Sequence, residues 1–124
     1  MRIRIAWKGG ELLGELNATN TAKAIAEALP YSAKAQVWGK EVYFSLPVDA
    51  HRAADAVDVV EPGTMCYWVQ GRSLALPYGP TPASTGDECR LVTAVNIVGK
   101  IEGDPNELGR IRQGELVTVS RVEG

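Results

Sequence analysis

The residues best suited to touching another molecule lie on two neighbouring stretches, Tyr67-Trp68-Val69-Gln70-Gly71-Arg72 and Tyr78-Gly79-Pro80-Thr81-Pro82. Tyrosine and tryptophan join a large apolar face to a hydrogen-bonding edge, the combination a ligand pocket requires. A guanidinium at Arg72 or Arg90 can pair with a carboxylate, and Asn96 can read an amide. The candidate binding set is therefore Trp68, Gln70, Arg72, Tyr78, Thr81 and Asn96. Its expected partner is a peptide segment, or a small molecule carrying a carboxylate or an amide. Packing competes with this reading, because aromatics on strands commonly fill a core. For Trp38, Tyr43 and Phe44 the core is the preferred place.

Catalytic chemistry finds little to work with. His51 is the only histidine, so a histidine metal site or a Ser-His-Asp triad would have to recruit it alone. It is read as a surface or structural residue. Cys66, between Met65 and Tyr67, reads as core packing, with a Cys66–His51 pair as the alternative. Asp49, Asp55 and Asp58 fit no calcium-loop spacing and read as a solvated face. Val98-Gly99-Lys100-Ile101 lacks the glycine-rich approach and the hydroxyl of a phosphate-binding loop. No catalytic residue, metal ligand or cofactor is assigned.

The elements that must position these residues are mostly strands. In RIRIAW, Ile3, Ile5 and Trp7 alternate with Arg2 and Arg4, the mark of a half-buried strand. Lys8-Gly9-Gly10-Glu11 reads as a hairpin turn on glycines free to take positive φ, with Leu12 to Leu16 as the returning strand. Asn20-Thr21 can cap a helix whose apolar stripe is Ala22, Ile25, Ala26 and Leu29 and which Pro30 ends. Ala35 to Trp38 and Glu41 to Ser45 flank Gly39-Lys40 as a second hairpin. Residues 48–60 show neither a helical stripe nor strict alternation. Glu61-Pro62-Gly63-Thr64 is a type II turn signal. Strands are expected at Thr64 to Val69, Ser73 to Tyr78, Val92 to Ile101 and Glu115 to Val122, with a short helical segment opened by Pro105. The proline-rich LALPYGPTPAS must leave the sheet near Tyr78, since Pro77 and Pro80 each lack a ladder donor. The sum is a mainly-β fold, a closed eight-stranded barrel with one or two short helices, in a single domain over 1–124.

Composition agrees. The chain has 124 residues, 45% of them hydrophobic, with 20 glycines and prolines (13 + 7) spread along it. A chain this long buries roughly two-thirds of its unfolded surface. Thirteen basic and fifteen acidic residues give a net charge of −2 without any run of one sign, which speaks against nucleic acid or a membrane surface as partner. No apolar run approaches the ~18 residues of a membrane span, and MRIRIAW lacks the continuous apolar core of a signal peptide. The expected location is cytoplasmic. Cys66 and Cys89 are isolated in sequence, which favours reduced thiols and leaves a single bridge open. Oligomeric state is not legible.

By residue 101 the order of elements resembles the cyclophilin fold. GRSLALPYG, a loop, AVNIVGKIEGD, PNELGRIRQG and ELVTVSRV are similar to the second half of a cyclophilin, and Gly99-Lys100-Ile101 stands where cyclophilins carry Gly-Lys-Val. A nearer likeness is to a family of small, largely uncharacterised bacterial and archaeal cyclophilin-like proteins. Its marks are WGKEVYFSLPV (Trp38 to Val48), VVEPG (Val59 to Gly63), Tyr67-Trp68, Tyr78-Gly79-x-Thr81-Pro82 and AVNIVGKI (Ala94 to Ile101). The resemblance implies the barrel and sets LALPYGPTPAS beside a substrate groove.

It also implies what the chain lacks. Cyclophilin isomerases carry a Phe-His-Arg run on the third strand, whose arginine stabilises the twisted prolyl amide; here that strand reads AKAQVWG. Their tryptophan and histidine in the later loop have no counterpart in PTPASTGDECR. Fold does not carry function by itself. The resemblance implies a binding protein without efficient prolyl isomerisation. The alternative is a weak isomerase using Arg72 or Gln70 as donor toward the prolyl nitrogen. A third reading, an accessory subunit of a larger enzyme, leaves no mark in the sequence.

Overall fold

The structure, a computed structural model, describes residues 1–122. Its elements in chain order are β1 (Arg2–Trp7), β2 (Gly10–Leu16), α1 (Asn20–Glu27), β3 (Tyr31–Lys34), β4 (Gln36–Val37), β5 (Glu41–Ser45), β6 (Val57–Val60), β7 (Thr64–Trp68), β8 (Ser73–Pro77), β9 (Cys89–Ile101), a 3₁₀ turn (Pro105–Arg110) and β10 (Leu116–Arg121). Strands run in the spatial order β3-β10-β1-β2-β9-β7-β8-β5-β4, with β6 paired to β9 outside this path. All of these pairs are antiparallel. The two ends of the path, β3 and β4, are consecutive in the chain on either side of Ala35. Residues 31–37 therefore pair with β10 at one end and with β5 at the other, which draws the sheet into a nearly closed barrel. Counting that bent segment once gives the eight staves expected from the sequence. Closure removes the free edges on which sheets aggregate.

Period-two alternation decides what faces inward. Ile3, Ile5 and Trp7 of β1, Val42 and Phe44 of β5, Met65 and Tyr67 of β7, and Leu74 and Leu76 of β8 are buried in one core. Each such apolar side chain contributes about 1.5–3 kcal/mol when fully buried. Helix α1 closes one end, burying Ala22, Ile25 and Ala26. Its N-cap is Thr19 rather than Asn20 or Thr21: the Thr19 hydroxyl accepts from the Ala22 N–H. The hydroxyl reaches that amide only from one residue earlier than the apolar stripe suggested.

Other local signals are met or shifted for visible reasons. At the Glu61–Thr64 turn the Thr64 N–H donates to the Glu61 carbonyl (3.1 Å) and Gly63 takes φ +87°, as a type II turn demands. The Lys8-Gly9 hairpin forms, with Trp7 opposite Gly10, yet neither glycine has positive φ. They make room instead: a Cβ on Gly9 or Gly10 would lie 3.3 or 3.2 Å from the Trp7 indole. Strand β9 starts at Cys89, three residues before the expected Val92, because β6 pairs with its first half. Strands β3 and β6 were not evident in the sequence. Within β6, three of the four residues are exposed, so no alternation marks it. Among the described residues no helix is long and apolar enough to cross a membrane.

Candidate functional site

The hairpin between β4 and β5 turns on Gly39-Lys40. The Trp38 N–H donates to the Glu41 carbonyl (3.0 Å), and Gly39 takes φ +61°, a conformation that costs glycine least. Cross-strand register sets Trp38 opposite Glu41 and Gln36 opposite Tyr43. Because strand side chains alternate, Glu41 and Tyr43 face outward while Val42 and Phe44 enter the core. On the adjacent strands the outward positions are Ala75 of β8 and Cys66 of β7, in register with Tyr43, and Trp68 two residues further along β7, opposite Ser73. Ala75 is too small to fill the space above it. Across that gap the rings of Tyr43 and Trp68 meet edge to face, with centroids 5.8 Å apart and planes at 89°.

The first half of β9 completes the enclosure. Register shifts between Met65 and Cys66 where β7 pairs with β9, and such an irregularity increases local twist. Residues 89–95 thus cross the outer face of β7 and β8, where Leu91 and Val95 join Cys66 and Ala75 in a second buried cluster, with Tyr43 and Trp68 packed against it. What remains open is a notch of about 240 Å³ lined by Trp38, Glu41, Tyr43, Trp68, Leu91 and Val92. The Trp68 indole N–H donates to the Thr93 hydroxyl (3.1 Å), which in turn donates to the Gln70 side-chain carbonyl (3.0 Å). That chain of bonds fixes the ring at the wall.

Glu41 is the unusual member. It is 5% exposed, and its Oε1 is buried without a hydrogen-bond partner. Burial pushes its carboxyl from 4.5 up to about 7, since desolvation disfavours the charged form. A buried polar group is ordinarily partnered, so Glu41 brings an unsatisfied carboxyl to the wall of the notch. The Cys66 and Cys89 thiols feel its charge. Burial pushes both upward, and the Glu41 charge adds to the effect, so they stay neutral. Both cysteines are free.

Residues 1–120 match the family model described as Cyclophilin-like. The chain belongs to the cyclophilin-like family. Among solved structures it is similar to the solution structure of the hypothetical protein AF2241 from Archaeoglobus fulgidus. That match has 37% identity over 98% of this chain and 95% of the other, with a TM-score of 0.83. The structure of McbB in complex with tryptophan shares the fold at 18% identity and a TM-score of 0.72, over 98% of this chain and 45% of McbB. No curated protein matches the chain.

This cyclophilin-like barrel does not gather the six residues expected to form a site. Trp68 and Gln70 stand together through Thr93. Arg72 adopts φ +46° and turns its guanidinium onto Asp49 (Nε to Oδ1, 2.8 Å). Tyr78 packs against the interior core, away from the cluster that holds Trp68, with its ring beside Gly109. Thr81 is buried, and its hydroxyl donates to the Arg90 carbonyl. Asn96 does read an amide, but one of its own chain. Its Oδ1 accepts from the Ala53 N–H (2.7 Å) and its Nδ2 donates to the His51 carbonyl (2.9 Å) and the Thr21 hydroxyl (3.2 Å). His51 lies exposed on that loop while Cys66 is buried under β9, so the two form no pair. Among the described residues no three His, Cys, Asp or Glu side chains are placed to hold a metal ion.

The proline-rich loop braces the notch instead of lining it. The Lys40 N–H donates to the Pro80 carbonyl (3.0 Å) and the Tyr78 N–H to the Lys40 carbonyl (2.8 Å). A Cβ on Gly39 would lie 2.8 Å from Pro82, so loop and hairpin turn are in close contact. The loop is also tied to itself. The Glu88 carboxylate accepts from the N–H groups of Thr85 (3.0 Å) and Gly86 (2.8 Å) and from Arg90 (3.1 Å). Those bonds, the Thr85 N–H first, hold its carboxyl down at about 2. Trp38 and Tyr43, expected in the core, are the residues that sequence reasoning missed. The signal was available: in Glu41-Val42-Tyr43-Phe44 the alternation places Tyr43 on the side of the acid, opposite Phe44.

Proposed function

We propose that this protein is a binding module whose site is the outer notch bounded by Trp38, Tyr43 and Trp68, and that it accepts a small molecule or one side chain of a peptide. The observation that carries this reading is the unsatisfied Glu41 carboxyl, in a notch wall shared with three aromatic rings. An unpaired buried polar atom costs about 1–3 kcal/mol, a cost that a bound donor would relieve. The cavity falls below the roughly 300–1,000 Å³ of sites for drug-sized molecules, which suits an amino acid or a single side chain. Because McbB was solved with tryptophan, free amino acids are the natural first ligands, followed by short proline-containing peptides.

Thermal shift and intrinsic fluorescence titrations of this panel test the reading. Trp68→Ala should weaken any ligand at least tenfold, whereas Tyr78→Ala, on the interior core, should leave affinity within twofold. A ligand indifferent to Trp68→Ala would place the site elsewhere. The isomerase alternative gains no support from the geometry, since Arg72 is committed to Asp49 and Gln70 to Thr93.

A further inference from the structure

We infer that the ligand group seated in this notch is an organic cation, an ammonium or methylated ammonium held between the Glu41 carboxylate and the faces of Trp38, Tyr43 and Trp68. The inference rests on the notch being a binding site and adds the charge of what it binds. Of its six lining residues three are aromatic, two aliphatic and one acidic; none is basic. Of the nearby cations, Arg90 pairs with Glu88 and Asp58, both at 3.1 Å, and Lys40, whose stem lies along Gly79, is not among the lining residues. An anionic ligand would thus meet a carboxylate and no counter-charge. A neutral apolar ligand would cover what remains exposed of Glu41 and leave its carboxyl unpaired.

A cation answers both deficits. It supplies the Glu41 carboxylate with a donor or a counter-charge, and it meets the electron-rich ring faces that attract ammonium groups. The right-angled pairing of Tyr43 and Trp68 makes two walls of a corner, the arrangement aromatic cages use around methylated ammonium. The groups facing Glu41 from β7 and β9 are the Cys66 and Cys89 thiols, which burial keeps neutral, so neither takes the place of a cation.

The test compares choline with its neutral carbon isostere, in which a tert-butyl group replaces trimethylammonium, together with n-butylammonium. Each is titrated into the full chain at about pH 8, where the Glu41 carboxyl is charged, while the indole N–H resonances are followed by NMR. Choline or n-butylammonium should bind at least tenfold more tightly than the isostere, and Glu41→Gln should erase that preference. Because the isostere comparison uses the unaltered protein, it stands even if a variant folds poorly. Equal affinity for choline and its isostere, unchanged by Glu41→Gln, would overturn the cation inference while leaving the notch as a binding site. Failure of both ammonium ions to perturb Trp38 or Trp68 at millimolar concentration would also overturn it. Failure of the binding-site reading itself is distinguished by the Trp68→Ala response of the amino-acid and peptide panel.

Discussion

Replacing Glu41 by glutamine removes one ionisable group while keeping the shape of the side chain. In the folded protein the carboxyl titrates near 7 against an ordinary value of 4.5. Each unit of difference is worth about 1.4 kcal/mol, so the raised value corresponds to roughly 3 kcal/mol. The sign follows from proton binding. Between the two values the folded chain holds the proton and the unfolded chain has lost it, so stability falls as pH rises. The effect is absent below about pH 4, grows between about 4.5 and 7, and is complete above about pH 8. Apart from the Cys66 and Cys89 thiols, which feel the Glu41 charge, other groups titrate alike in both proteins, so below the thiol range the difference between them isolates Glu41. Urea denaturation of wild type and Glu41→Gln at about pH 4.5 and pH 8 should show near equality at the lower pH. At the higher pH the variant should be more stable by about 3 kcal/mol, a large share of the ~5–15 kcal/mol that holds a domain together. Parallel curves, with the difference changing by under about 0.5 kcal/mol, would refute the desolvated carboxylate.

Three further outcomes follow from named contacts. Asn96→Ala deletes three hydrogen bonds that tie residues 51–53 and Thr21 to β9; it should cost about 2–3 kcal/mol and speed amide exchange at Ala53 before the barrel strands. Exchange that stays slow there would show that other contacts hold the loop. Thr81→Val leaves the Arg90 carbonyl and the Ala83 N–H without the Thr81 hydroxyl and should lower stability by about 1–3 kcal/mol, as read from the urea midpoint; an unchanged midpoint would show the loop to be a passive connection. In a protease-coupled proline-peptide assay the protein should give no rate above the uncatalysed one, and a rate abolished by Gln70→Ala would revive the isomerase.

The barrel was legible because its information is local. Alternation in Arg2 to Trp7 and in Glu41 to Ser45, the proline-glycine turn at 61–64 and the stripe of α1 each concern residues within one element. Physics at that range decides which side of a strand is apolar and where the chain must turn. Strands β3 and β6 escaped because their residues are largely exposed or irregular in pattern, and only their pairing with β10 and β9 makes them strands. The tight loop at 79–90 escaped for the same reason. Its prolines, glycines and small polar residues show neither alternation nor a stripe, whereas in the fold Thr81, Ser84 and Glu88 bind the loop to itself and to Arg90.

The site lies on the other side of that division. Sequence grouped Trp68, Gln70, Arg72, Tyr78 and Thr81 because they are close along the chain, and added Asn96 as a side chain able to read an amide. Folding sends Tyr78 to the interior core, Arg72 to Asp49, and Thr81 and Asn96 to backbone groups. A strand carries two faces, and nothing within Tyr67 to Tyr78 says which of them β9 will cover or leave open. That choice depends on the register of β7, β8 and β5, on the small Ala75 at their centre, and on the bend that carries Leu91 over them. Trp38, Glu41 and Tyr43 are 25 or more positions from Trp68 in sequence, and they become its neighbours only when antiparallel pairing through β8 brings the strands side by side. Residue types and spacing therefore specify the barrel, while the aromatic notch and its unpaired carboxylate arise from long-range contacts between strands.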